Sequence, residues 1–426
     1  MGLRESLLGT AVSAMLSEPG LAARRAWYRR SRAAERIKIE LFFDASDPYG
    51  LLLVQAVHPL LSAPGVELSM TLVPPPSRDA DPEPGLRRAY ALRDARELCR
   101  HHEVAFPAEA ALPSRPFVEL ANAILAEARP IEEQLALARA VGDALFRGEG
   151  LGELARRAGR TSVERAARVL ADGAERRRAL GHYVGGTLYC EGEWYWGVDR
   201  LPLLEERLRG EGVDVALSCV RQPRLPVPRD EARSDTVEVF FSFRSPYSYI
   251  ALVRIAELAR RHQKELVLRP VVPLVVRGAR IPLAKKIYIV ADAAREARRH
   301  GVPFGKIADP IGIGIERAMA LFAWAKRERA EVPLTLSLMR GIWSEARSVA
   351  DERELRVMVE RAGLSWHRAE AHLSGEGWRS SAEANRAALY DLGLWGVPSF
   401  ATGGFSTWGQ DRLDYVAERL ARDGRG

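Results

Sequence analysis

The chain repeats itself. Ile37-Lys38-Ile39-Glu40-Leu41-Phe42-Phe43-Asp44-Ala45-Ser46-Asp47-Pro48-Tyr49 returns in altered form at residues 236–247, and setting Phe42 on Phe240 gives an offset of 240 − 42 = 198. The same offset carries Tyr90 onto Tyr288, Asp94 onto Asp292, Val104 onto Val302 and Phe106 onto Phe304. Near the end of each copy it becomes 212, where Trp196-Gly197-Val198-Asp199-Arg200-Leu201 falls on Trp408-Gly409-Gln410-Asp411-Arg412-Leu413. The second copy therefore holds 212 − 198 = 14 extra residues between matching ends. A repeat of about two hundred residues has the size of a domain, not of a solenoid unit, so the chain is expected to be one fold used twice.

Within each copy the hydrophobic period gives the order of elements. Val237-Glu238-Val239-Phe240-Phe241 is β-branched and aromatic, as a buried strand is, and residues 249–259 carry apolar side chains at helical spacing. A second strand follows (66–73 and 265–272), then a long run of helical pattern, a short strand pair and a terminal helix. A β-α-β start, a helical middle and a β-β-α finish make an α/β thioredoxin-type pattern with an inserted helical subdomain, present in tandem. The expected boundaries are a basic helical segment at 1–36, a first domain at 37–209, a proline-rich linker at 210–235 and a second domain at 236–422.

The switch from strand to helix falls at Ser242-Phe243-Arg244-Ser245-Pro246-Tyr247-Ser248-Tyr249. Serine before proline is N-cap and N1 chemistry: the hydroxyl accepts from an orphan backbone N–H, and proline has none to orphan. Ser245 thus stands where the positive end of a helix favours an anion.

Composition excludes more than it selects. The net charge of +7 comes from 63 basic against 56 acidic residues, both signs dense along helical stretches, without a zinc-finger, basic-zipper or RNP pattern; no nucleic-acid partner is expected. Cys99, Cys190 and Cys219 are odd in number, far apart and in no C-x-x-C, which favours a reducing compartment over a disulfide framework and offers no metal-ligand spacing. No G-x-x-x-x-G-K-[ST] occurs and Gly312-Ile313-Gly314 is too short for a dinucleotide fingerprint, so neither metal nor nucleotide is expected. The apolar run at 7–16 lacks a cleavage signal and reads as a helix, and no run approaches the ~20 residues that span a bilayer. A soluble, cytoplasmic protein is expected. The alternative for residues 1–36, with Arg24, Arg25, Arg29, Arg30, Arg32 and Arg36 around Trp27 and Tyr28, is contact with a membrane surface.

Three separated motifs then resemble one family, the DsbA-like thioredoxin-fold group that contains 2-hydroxychromene-2-carboxylate isomerase and the kappa-class glutathione transferases. They are Ser245-Pro246-Tyr247-Ser248-Tyr249; Lys285-Lys286-Ile287-Tyr288-Ile289-Val290-Ala291-Asp292 followed by His300-Gly301-Val302-Pro303-Phe304; and Trp395-Gly396-Val397-Pro398-Ser399-Phe400 followed by Trp408 through Leu413. The resemblance implies glutathione as cosubstrate or catalyst, with its thiolate beside Ser245. It implies a cis Pro398 with the Val397 backbone pairing with the peptide, Gln410 and Asp411 at the γ-glutamyl end, and Lys285 at the glycine carboxylate. The family's asparagine ahead of that lysine has no counterpart in 272–284, where Arg277 and Arg280 are the available cations. Tyr247, Ser248 and Tyr249 are secondary candidates; with Phe243 and Trp343 the tyrosines either line a pocket for an aromatic or hydrophobic electrophile or, as aromatics at such spacings more often do, belong to the core. Taken singly, Ser245 is also a plain helix cap, Pro398 a turn former, Asp411 a partner for Arg412 and Lys285 a surface cation.

The first half departs from this pattern: Asp47 stands for Ser245, Gly186 for Pro398 and Arg87 for Lys285, while Asp199 is kept. It is expected to hold the fold with the site lost or altered, and to serve as a built-in pairing partner for the second half. The implied activity is a glutathione-dependent isomerase or transferase. A silent thioredoxin-fold scaffold is the alternative, and a disulfide oxidoreductase would need cysteines that positions 245 and 248 lack.

Overall fold

A computed structural model describes residues 18–32, 36–217, 234–272 and 281–423. The apolar run at 7–16, Cys219, Arg277, Arg280 and most of the expected linker lie outside the described residues. The chain divides into two compact units, one holding Ala23–Pro226 with Ile281–Tyr288 and the other Met1–Ala22, Val227–Arg280 and Ile289–Gly426. In this division the short segment Ile281–Tyr288 groups with the first half.

In the first half, helix α1 (Glu18–Ser31) precedes strand β1 (Ile37–Phe43), α2 (Pro48–Ala56) and β2 (Val66–Leu72). Helices α3 (Pro84–His101), α4 (Arg115–Leu125), α5 (Ile131–Arg147), α6 (Leu151–Ala158) and α7 (Val163–Ala179) follow, then β3 (Thr187–Cys190), β4 (Glu193–Trp196) and α8 (Leu201–Gly210). β1 runs parallel to β2 and antiparallel to β3, giving the order β2-β1-β3-β4.

The second half repeats this order: β5 (Thr236–Phe241), α9 (Pro246–Arg261), β6 (Glu265–Pro270), α10 (Leu283–Arg299), α11 (Ile313–Arg327), α12 (Glu331–Ser344), α13 (Glu352–Arg361), α14 (Trp366–Glu370), α15 (Trp378–Asp391), β7 (Ser399–Thr402), β8 (Phe405–Trp408) and α16 (Leu413–Asp423). Its sheet order is β6-β5-β7-β8. Most of the extra length lies between α13 and α15, sixteen residues (362–377) against four (159–162) between α6 and α7. The additional short helix α14 forms there. Val237, Val239 and Phe241 are fully buried, so β5 is a central strand with one face in the core, and each buried aromatic such as Phe241 contributes roughly 2–3 kcal/mol. The β-α-β start, helical insertion and β-β-α finish match the expected α/β pattern in both halves.

The basic helix α1 has a structural use. Arg25 makes a two-pronged pair with Glu193 at 2.7 and 2.9 Å, and Arg32 pairs with Glu191 and Glu211. Beneath them Arg207, fully buried, stands 3.3 Å from each of Glu191, Glu193 and Glu211 and donates to the Cys190 carbonyl. Tyr28 packs so tightly on the hairpin turn that a Cβ at Gly192 would come within 2.8 Å of its ring. Two of the arginines considered for a lipid surface are therefore bound to glutamates of this half. Among the described residues no helix is long and apolar enough to cross a membrane.

Candidate functional site

In the second half the corner forms where β5 ends. Ser245 has extended backbone (φ −107°, ψ 115°), and its Oγ accepts from the Ser248 N–H at 3.1 Å, capping α9, with Pro246 as the first helical residue. The Ser245 carbonyl accepts from Tyr249 N, and its own N–H donates to the Ser242 carbonyl at 3.0 Å. Its side chain is half-buried, as are Arg244 and Tyr247, while Ser242, Phe243, Pro246, Ser248 and Tyr249 of the same corner are buried.

Opposite, Val397-Pro398 is a cis peptide. Ser399 pairs with Phe240 in the β5–β7 ladder, so the two residues before it run beside the strand end from which the corner starts. The Pro398 carbonyl accepts from Gly409 N at 2.9 Å, tying this loop to the turn that carries Gln410 and Asp411. Neither the N–H nor the C=O of Val397 is used by another described residue. Gly396 is required here: a Cβ would lie 2.5 Å from the Trp408 indole nitrogen, in a Trp395–Trp408 stack with centroids 4.9 Å apart.

The remaining sequence candidates separate into groups. Ser248 is fully buried and its Oγ accepts from Ser242 N, so it braces the corner from inside and offers nothing to a ligand. Tyr249 and Phe243 are core residues at 1% exposure, and Trp343 is buried with its indole N–H on the Phe243 carbonyl; these three do not line an open pocket. Tyr247 donates to Asp292 at 2.8 Å, and the first half repeats the contact between Tyr49 and Asp94 at 2.8 Å. A bond common to both halves belongs to the fold. Gln410 is 1% exposed with its carboxamide bound to Arg254, Glu296 and Asp411, so it does not itself project toward a ligand, whereas Asp411 is half-buried. Lys285 is grouped with the first half, where its ammonium donates to the Ala80 carbonyl at 2.6 Å and stands over the Tyr183 ring, and burial lowers its pKa. The glycine-carboxylate role expected of it has no support in that position. Sequence reading missed Arg244, which clasps Asp309 through two hydrogen bonds at 2.6 and 2.7 Å and fixes the residue just ahead of Ser245.

The same corner in the first half is built for the opposite charge. Asp47 caps α2 through the Tyr49 N–H at 3.1 Å, is 3% exposed, and burial pushes its carboxyl up to about 7 against the pull of Arg87, 3.9 Å away. Arg87 binds Asp81 at 2.6 Å, and Asp44, also raised by burial, accepts from the N–H and hydroxyl of Ser46. The loop opposite is closed onto it: Gly186 donates to Phe42 O at 2.8 Å and has φ +62°, and a Cβ at Gly185 would lie 2.6 Å from the Asp44 Cβ. Gly197 N donates to Gly186 O at 2.9 Å, the counterpart of the Gly409–Pro398 bond, which confirms the alignment of the two loops. A carboxylate that carries its own arginine leaves this corner no attraction for a thiolate.

Cys99 and Cys190 are free thiols in the first half, both pushed up by burial, to about 11 and about 12. Neither has the depressed pKa of a reactive thiol. Among the described residues no group of three or more His, Cys, Asp or Glu could hold a metal ion.

Residues 236–421 match the family described as DSBA-like thioredoxin domain. Among curated proteins, a 2-hydroxychromene-2-carboxylate isomerase from Sphingobium xenophagum is 27% identical over 195 residues, 43% of this chain and 97% of that protein. A protein of the same name from Pseudomonas putida is 24% identical over 206 residues, 44% of this chain and 94% of its own. A solved structure of selenomethionine 2-hydroxychromene-2-carboxylate isomerase is 23% identical with a TM-score of 0.38, covering 44% of this chain and 95% of that one.

Proposed function

Residues 236–421 being a DsbA-like thioredoxin domain, we propose that this half is a glutathione-dependent isomerase or transferase whose corner holds the glutathione sulfur as an anion. The carrying observation is Ser245 at the helix cap, where a disulfide oxidoreductase would keep a cysteine, with a Val397 main chain opposite that no described residue uses. A hydroxyl cannot cycle through a disulfide. It can turn its hydrogen toward a sulfur anion while its oxygen still accepts from Ser248 N–H. That donor and the helix dipole both favour thiolate over thiol, and each pKa unit so gained is worth about 1.4 kcal/mol. Val397 offers main-chain pairing to an extended peptide, and Asp411 offers a carboxylate to the γ-glutamyl ammonium.

The thiolate adds to a conjugated carbon of a hydrophobic or aromatic electrophile, its electron pair making the S–C bond as the displaced π pair moves onto the activating carbonyl. A single bond then rotates, or a ring opens, and reversal of the addition expels the thiolate. In the transferase version the adduct is released instead. Isomerases by name among the relatives support the first form. The first half is a partner domain without a thiolate site.

Calorimetric titration of the full chain with glutathione tests this. Binding at up to millimolar concentration, weakened about tenfold or more by Asp411→Ala, is expected. No heat at any accessible concentration would leave a thioredoxin-fold scaffold.

A further inference from the structure

One polar cluster in the second half lies behind Asp411 and is not accounted for by the fold. Arg254 on α9 donates through one nitrogen to both the carbonyl and the side-chain oxygen of Gln410, at 3.1 and 2.9 Å. With its oxygen claimed, the Gln410 carboxamide has one orientation, and its NH2 donates to Glu296 Oε2 on α10 at 2.6 Å and to Asp411 Oδ1. Glu296 is 2% and Gln410 1% exposed. Burying a carboxylate costs several kcal/mol unless partners satisfy it, so such a cluster is not kept for stability alone.

The first half serves as an internal control. The offsets put Ala56 at the place of Arg254 (254 − 198), Leu98 at Glu296 (296 − 198) and Val198 at Gln410 (410 − 212), while Asp199 matches Asp411 (411 − 212). Leu98 and Val198 are buried in an apolar interior, and the half folds into the same strand order. The fold therefore does not need the Arg-Gln-Glu cluster. All three members are present only in the half whose corner carries Ser245, and absent together where that corner carries Asp47.

We propose that Glu296 is a positioning residue for the Ser245 site: acting through Gln410, which it and Arg254 lock in one orientation, it aims the Asp411 carboxylate at a ligand's α-ammonium group. The site thereby selects thiol peptides that carry a γ-glutamyl end over those that lack it. His300, whose ring lies 3.8 Å from Glu296, is pushed down to about 4 by burial and by Arg254, so it is neutral at physiological pH and does not replace the cation of a ligand.

This rests on the glutathione reading, and its test separates the two. The full chain is titrated by calorimetry with glutathione and with cysteinylglycine, the same thiol without the γ-glutamyl group. Wild type should prefer glutathione. Glu296→Leu combined with Gln410→Val, the first half's own pair, should cost glutathione roughly 10- to 100-fold in affinity, the range of a charge-assisted contact, and leave cysteinylglycine unchanged. Glu296→Gln, which keeps the size and an acceptor, should fall between. Circular dichroism melts of both variants verify that the fold persists. Equal losses for both ligands, or none for glutathione, would overturn the positioning role while leaving glutathione binding standing. A wild type that binds neither ligand would overturn both.

Discussion

Asp47→Asn is the sharpest perturbation of the first half, because it changes one charge at an almost closed position. The Asp47 carboxyl is raised from 3.8 to about 7, first by burial and then by the nearby Asp44 and Asp81, with Arg87 opposing. The sign follows from the direction. A folded pKa above the unfolded one means that the folded state holds a proton the unfolded chain gives up. The contribution of Asp47 to stability is therefore full below about pH 4, falls as pH rises through 7 and is level beyond. Three units at 1.36 kcal/mol each make a total loss of about 4 kcal/mol, of which about 2 kcal/mol falls between pH 5.5 and 8.5. Asparagine keeps the shape and cannot ionise. Urea denaturation followed by tryptophan fluorescence, with Trp194 and Trp196 reporting on this half, should show the variant gaining about 2 kcal/mol on wild type between those two pH values. A difference that does not change with pH, or a variant less stable than wild type at pH 8.5, would refute the account of this corner.

Other outcomes follow from the packing. Gly173→Ala would put a Cβ 1.9 Å from the Leu72 carbonyl oxygen, and α7 would have to move off β2; a loss of roughly 1–3 kcal/mol is expected by denaturant melt. Arg207→Met would leave Glu191, Glu193 and Glu211 around a neutral centre, costing about 3–5 kcal/mol and loosening α1, which limited proteolysis would detect at Arg24 or Arg25. Tyr247→Phe removes a bond that both halves share, so it should lower stability by about 1 kcal/mol and leave glutathione affinity within a factor of two, as read by calorimetry.

Much of this architecture is legible in the sequence because the repeat tests itself. The offset of 198 fixes strand, corner and second strand in both halves, and the 212 offset is matched by the Gly197–Gly186 and Gly409–Pro398 hydrogen bonds. Ser245 and Pro398 could be found because capping chemistry and X-Pro leave local signatures. What stayed hidden is the direction in which a side chain faces. Tyr249 and Tyr247 read alike as tyrosines two apart, yet one is core and the other half-buried on Asp292. Lys285 lies at the expected place along the chain, but the chain there belongs with the other half. Arg254 and Glu296 sit on charge-rich helices, where nothing in the local sequence pattern sets them apart. The signal that could have found them is their joint replacement by Ala56 and Leu98 in the copy that keeps the fold.

What separates this corner from a plain helix cap is the charge state of one bound sulfur. A pH titration of thiolate absorbance near 240 nm, on the full chain saturated with glutathione, reads it directly. The bound thiol is expected to titrate about one to two units below its value in free solution, and to return upward by about one unit in Ser245→Ala. A bound thiol that titrates as it does in water, or a shift that survives loss of the hydroxyl, would contradict it.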